Sequence, residues 1–320
     1  MRKGRYPEST KQRSVLSVII FIVMVICFVI LNRNDLFQPG AESNVIRQGN
    51  IGGTMKVTFL DVGQGDSTLV QVKEGNDEFV ILIDASERGY GKGIKEYLQG
   101  YGIEKIDLLI NTHQHADHIG GMREIVKSFD IGEIYMPYLP KKMVPATAAY
   151  EKFLDEVNKK KYKIQKLYAG VEADTPKSLK MSVLSPEKNA EYSNLNNYSG
   201  VIHLQYGEIS FLVTGDAEKE VENILFDSGA GIEATVLRCG HHGSYTSTAS
   251  GFLKKINPKY VVISCGRENT YGYPHEETLK KLGKLGCEIY RTDLQRTIAM
   301  ETDGRKIEIE TNISSIPKAD

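Results

Sequence analysis

Five of the seven histidines in this 320-residue chain fall in two short clusters. His113, His115 and His118 lie in THQHADHIGG, and His241 and His242 lie in CGHHGS; His203 and His275 stand apart. His113 and His115 are two positions apart, just after the apolar run DLLINT. Extended backbone aims alternate side chains the same way, so both imidazoles can reach one ion. Asp117 and His118 follow at the entry to a helix and point to a second ion close by. Four ligand-type side chains in six positions suit a two-metal hydrolytic centre. The Gly120–Gly121 pair lets the following helix pack close to its sheet.

The elements that must hold these loops are legible from Lys56 onward. Strands are predicted over 56–62, 67–72, 79–84, 107–112, 132–136, 201–206, 209–214, 234–239, 259–264 and 288–292. These runs are rich in Val, Ile and Tyr and are punctuated by Gly or Asp. Ile119, Met122, Ile125, Val126 and Phe129 keep helical spacing, as do Val221, Ile224 and Leu225. Two strand-rich stretches, each with helices, fit an α/β domain of two packed sheets with helices outside. FLDVGQGDS (59–67) reads as two strands joined by a Gly-rich turn, with Asp61 or Asp66 available as supporting groups near the ions.

Composition narrows the rest. Forty basic and 41 acidic residues give a formal net charge of −1, which argues against the chain-wide basic footprint of a duplex-DNA binder. The short run NKKKYK (158–163) reads first as a solvated helix end. Cys27, Cys239, Cys265 and Cys287 contain no CxxC pair, so a zinc ribbon or thioredoxin-type motif is excluded. Cys239 and Cys265 sit in apolar runs and read as buried thiols, with pairing between them the alternative.

The N-terminus is of another character. Residues 14–31, SVLSVIIFIVMVICFVIL, carry no charge and are just long enough to span a bilayer as a helix. Arg2, Lys3, Arg5, Lys11 and Arg13 precede them against one acid, Glu8. The positive-inside bias places this basic tail (1–13) in the cytoplasm and the rest outside the cell membrane. An uncleaved single-pass anchor is favoured over a cleaved signal peptide, because no A-x-A site follows closely. Residues 32–54 are polar and aperiodic and read as a tether, leaving 55–320 as the hydrolase domain.

THQHADHIGG matches the HxHxDH signature of the metallo-β-lactamase superfamily. With FLDVGQGDS, LVTGDAE (212–218) and HHGSYTS (241–247), the chain resembles the β-lactamase-like domain of the ComEC family of DNA-uptake proteins. The resemblance runs from Met55 to about Glu310. It implies a four-layer αββα sandwich, here preceded by one transmembrane helix, and two divalent ions, zinc or manganese. It implies that Asp216 bridges both ions and that Asp84 orients a ligating histidine. One of His241 and His242 becomes a late ligand and the other faces substrate or a supporting acid, a choice the sequence leaves open. Assigning His241 as the ligand gives the set His113, His115, Asp117, His118, Asp216 and His241, with Asp117, His241 and His242 serving catalysis.

Two departures bear on substrate. Many superfamily members carry a third, isolated histidine. The ComEC-type pattern has Asn and Ser instead, which Asn197 and Ser199 match as groups supporting the ions. His203 lies four residues beyond Ser199, about 13 Å along a strand, too far to substitute. One ion position is thereby richer in oxygen, which moves the expected metal from zinc toward manganese. In NTYGYPH (269–275), Tyr273 replaces a histidine usual in the family, while His275 is retained either as a helix-start residue or facing substrate. Gln295–Arg296 stands where a glycine is usual.

Two divalent ions against two carboxylates and a hydroxide leave positive charge toward the substrate, which suits a phosphodiester anion. The expected activity is a metal-dependent phosphodiesterase or nuclease with DNA as its partner. The alternatives are a hydrolase of a cell-wall phosphodiester, lactam or other ester, and a non-catalytic binding module on the same fold.

Overall fold

The computed structural model describes residues 52–319. The predicted tail, anchor and nearly all of the tether lie outside them. The fourteen strands among the described residues are β1 (Gly53–Phe59), β2 (Thr68–Glu74), β3 (Asp77–Ile83), β4 (Lys105–Ile110), β5 (Asp130–Pro137), β6 (Ile164–Leu167), β7 (Leu179–Ser185), β8 (Val201–Tyr206), β9 (Ile209–Val213), β10 (Val236–Arg238), β11 (Tyr260–Ile263), β12 (Glu288–Arg291), β13 (Thr297–Thr302) and β14 (Ile307–Ile313). β1 begins at Gly53, so the end of the predicted tether is already paired strand. The helices are α1 (Gly91–Gly100), α2 (Ala116–Ile119), α3 (Met122–Ser128), α4 (Ala148–Lys160), α5 (Lys219–Asp227), α6 (Ser250–Ile256), α7 (Glu276–Leu285) and α8 (Thr292–Gln295).

One sheet has eight strands in the order β14-β13-β1-β2-β3-β4-β5-β6, and the other six in the order β12-β11-β10-β9-β8-β7. Alternating residues divide their apolar side chains between two faces. Val57, Val70, Ile81 and Ile110 of the first sheet meet Ile202, Phe211, Val236 and Val262 of the second. On the far face of the first sheet, Leu82, Leu109 and Ile134 pack against Ile94, Met122, Ile125 and Phe153 from helices. On the far face of the second, Leu212, Leu237 and Val261 pack against Val221, Phe252, Leu253 and Leu282. The result is the helix–sheet–sheet–helix layering expected.

β3, β4, β5 and β6 run parallel, as do β9, β10, β11 and β12. Parallel strands buried on both faces read as near-continuous apolar runs, as in DLLI and YVVI. The loops leaving β3, β4, β9 and β10 at their carboxyl ends carry Asp84, the first histidine cluster, Asp216 and the histidine pair. This is the edge where open α/β sheets bind ligands.

The basic run closes α4. Lys161 takes the left-handed C-cap position at φ 60°, and Lys159 pairs with Glu156 at 3.4 Å. The run precedes β6 and so lies at that strand's amino end, away from the histidine loops. Cys239, Cys265 and Cys287 are free thiols, the first two buried.

Candidate metal centre

Asp84 leaves β3 at φ 59° and underpins the histidine loop. Its Oδ1 accepts Thr112 N at 2.8 Å and Asn111 Nδ2 at 2.9 Å. Its Oδ2 accepts Thr112 Oγ1 at 2.5 Å and His118 Nδ1 at 2.7 Å. The carboxylate thereby fixes the His118 tautomer and turns Nε2 inward. His118 Nε2 lies 3.3 Å from Asp216 Oδ1.

Asp216 sits in the turn after β9, where Ser199 Oγ accepts its backbone N–H at 3.0 Å. Two residues on, Glu218 N donates to Asn197 Oδ1 at 3.0 Å. Asn197 and Ser199 thus hold the backbone that presents Asp216. His242 donates from Nδ1 to the Ser264 carbonyl at 2.9 Å. Its Nε2 stands 3.3 Å from Asp117 Oδ2 and 3.6 Å from Asp216 Oδ2. Asp117, His118, Asp216 and His242 each offer a ligand atom within 4.8 Å of the others. His113 Nε2 and His115 Nδ1 converge at 2.9 Å, with His113 Nε2 3.9 Å from Asp216 Oδ2.

His242, rather than the assigned His241, joins the four-residue cluster, because the Ser264 carbonyl aims its Nε2 inward. His241 Nε2 lies 3.7 Å from Asp216 Oδ2 and 3.3 Å from the Tyr273 hydroxyl. Both histidines adopt positive φ, 48° and 53°.

The donor set fits divalent ions. His118 Nε2, Asp216 Oδ1 and His242 Nε2 are buried with no hydrogen-bond partner among the described residues. Leaving one such atom alone costs about 1–3 kcal/mol, and here three converge, two of them imidazole nitrogens. Burial lowers the pKa of His113 and His115, which favours the neutral, ligating form. Burial would also lower His118, but the carboxylates of Asp216 and Asp84 outweigh it and hold that imidazole well above its ordinary range. Burial would raise Asp117 and Asp216. The adjacent His118 and His242 prevail and hold both carboxyls down.

Sequence reasoning missed Arg238. It is fully buried at the end of β10; Nε donates to Asp66 Oδ1 at 3.1 Å and Nη1 to the Gly215 carbonyl at 2.6 Å. A lone arginine inside the apolar run ATVLRC was the available signal. Of the two turn aspartates, Asp66 therefore supports the centre, 3.1 Å from the arginine beneath it. Asp61 instead engages Gly63 N and Ser315 Oγ.

His203 lies on β8, bonded to the Glu233 carbonyl at 3.0 Å, outside the centre. His275 is the N-cap of α7, and its Nδ1 accepts Tyr245 N–H at 3.1 Å. Arg296 adopts φ 57°, ψ −147°, a region that is otherwise essentially glycine's, which accounts for the glycine usual at that position.

Residues 60–267 match the Metallo-beta-lactamase superfamily. The chain belongs to that superfamily. Its members are typically hydrolases, and the candidate two-metal residues lie in the loops just described. ComE operon protein 3 of Bacillus subtilis is 31% identical over 259 residues, covering 76% of this chain and 32% of that protein. Recombination protein 2 of Haemophilus influenzae is 29% identical over 297 residues, covering 91% of this chain and 32% of that protein. Competence protein ComA of Neisseria gonorrhoeae is 29% identical over 240 residues, covering 74% and 31%. The resemblance to the competence-protein domain is therefore shown, and the chain spans about a third of the length of these relatives. The metallo-beta-lactamase fold protein YhfI of Bacillus subtilis superposes with a TM-score of 0.50 at 14% identity, over 78% of this chain and 100% of that one. That likeness concerns the fold alone. Among the described residues no helix is long and apolar enough to cross a membrane; residues 14–31 lie outside them.

Proposed function

We propose that this chain is a membrane-anchored, extracytoplasmic phosphodiesterase that cleaves DNA, using two divalent ions, manganese or zinc. The observation that carries the reading is the convergence of unpartnered His118 Nε2, Asp216 Oδ1 and His242 Nε2 beside Asp117. The competence and recombination relatives support DNA as the substrate.

His113 and His115 would hold one ion, and Asp117, His118 and His242 the other, with Asp216 between them. Divalent ions held there would lower the pKa of a bound water and offset charge on the phosphoryl oxygens. Asp84 keeps the His118 tautomer fixed, and Asp117 accepts the proton of the attacking water. His241, beside the Tyr273 hydroxyl, is placed to return a proton to the leaving oxygen.

The test is full-length protein in detergent, stripped of metal and reloaded with manganese or zinc. Its substrates are single-stranded DNA, duplex DNA, bis-p-nitrophenyl phosphate and nitrocefin. Metal-dependent cleavage of DNA and of the model diester is expected, with nitrocefin intact. Turnover of nitrocefin alone, or metal uptake without any hydrolysis, would overturn the reading. Protease added to intact cells should remove the globular part; protection until lysis would reverse the orientation.

A further inference from the structure

A line of aromatic rings leads from the metal cluster to solvent through the loop after β11. The rings of His242 and Tyr273 lie 6.0 Å apart at 30° to one another. Those of Tyr273 and Tyr271 lie 5.4 Å apart and only 10° from parallel. Tyr271 is 62% exposed. Stacked on Tyr273, the Tyr271 side chain is thus still largely accessible to solvent.

The loop is built to keep this line still. The Asn269 side chain donates to the carbonyls of Gly266 at 2.9 Å and Tyr273 at 2.7 Å, and accepts Tyr273 N at 2.9 Å. Gly272 makes the turn at φ 74°. His275 N donates to the Gly243 carbonyl at 3.0 Å, tying the loop to the histidine pair. Rings fixed in advance lose little freedom when a ligand arrives. A single exposed tyrosine is unremarkable. A near-parallel pair that starts on a metal-cluster histidine and ends on an exposed ring is the geometry of a stacking platform.

We propose that Tyr271 is a stacking rung for one base of single-stranded nucleic acid, next to the phosphodiester at the metal cluster, with Tyr273 as the rung beneath it. The proposal rests on the phosphodiesterase reading above. A base inside a duplex has both faces covered, so the rung selects an unpaired strand. Every base has a π-face, so the contact is tolerant of sequence.

The experiment is fluorescence anisotropy with full-length protein in detergent and chelator, where no cleavage occurs. Its probes are labelled oligothymidylate and an abasic oligomer of equal length. The parent should prefer the base-bearing strand by roughly 5- to 150-fold, the range for one stacked base. Tyr271→Ala should bring that ratio close to one, and Tyr271→Phe should preserve it. A parent without base preference, or a Tyr271→Ala protein that keeps the full preference, would refute the rung. Cleavage of the model diester by the metal-loaded parent separates this from the reading beneath it. An active parent without base preference refutes the rung alone. An inactive parent whose base preference depends on Tyr271 supports the rung and refutes the phosphodiesterase.

Discussion

Arg238 and Asp66, 172 positions apart in sequence, form a fully buried ion pair that joins the two sheets beneath the candidate metal centre. Asp66 belongs to the turn between β1 and β2, and Arg238 ends β10. Removing one member leaves the other charged and uncompensated in the interior. Arg238→Met is expected to cost about 3–5 kcal/mol, and the double variant with Asp66→Asn to recover much of that. Urea unfolding of the metal-free proteins measures both. A single variant within about 1 kcal/mol of the parent would show the pair to be energetically idle.

Asp84 acts on the centre through His118. Asp84→Asn keeps the size of the side chain but removes the charge that holds the imidazole, and turns an amide donor toward groups that themselves donate. Affinity for the ion at His118 should fall about 10- to 100-fold. Competition against a chromophoric chelator reads this directly. Unchanged affinity would reduce Asp84 to a fold-forming turn residue.

The central strands and the ligand-type residues were legible because each carries a local signal. Parallel strands buried on both faces are unbroken apolar runs, and the HxHxDH loop is compressed into six positions. β6, β7 and β14 lie at sheet edges, where one flank needs no partner and the apolar signal thins. β6 has four residues, and in β14 the face carrying Ile307, Ile309 and Ile313 is broken by Thr311 while the other face carries Glu308, Glu310 and Asn312. β13 (Thr297–Thr302), beside β14, is likewise not among the predicted strands. What sets His242 apart from His241 is its bond to the Ser264 carbonyl, 22 residues further on. Arg238 needed Asp66 for its meaning. Such pairings are made by folding and have no nearby sequence pattern.

Glu222 gives a pH dependence away from the ions. It is buried, and it accepts the backbone N–H of Thr248 and, at 2.8 Å, that of Ala249. Burial pushes its carboxyl up from 4.5 to about 7. Between those values the folded chain keeps a proton that the unfolded chain has released, so the contribution of Glu222 to stability falls as pH rises through this window. Glu222→Gln does not titrate. Its stability relative to the parent should improve by up to about 1.4 kcal/mol per pH unit across the window. Metal-free melting of both proteins at several pH values tests this; a constant difference would sink it.

Asp117 should matter more to turnover than to folding. It sits at the start of α2, partly open, with Oδ2 3.3 Å from His242 Nε2. Asp117→Asn keeps size and most hydrogen bonding, but removes the negative charge with which Asp117 would help hold an ion and accept the proton of the attacking water. The rate should fall by at least the ~10²–10⁴ typical of a general base. Bound metal itself stabilises the fold, so stability must be compared between metal-free proteins, where the change should be small. Two measurements decide the matter, phosphodiester hydrolysis at saturating metal and metal-free melting. Near-parental turnover would remove the proposed role. A metal-free variant melting far below its metal-free parent would make the residue structural, because the loss would then precede any chemistry.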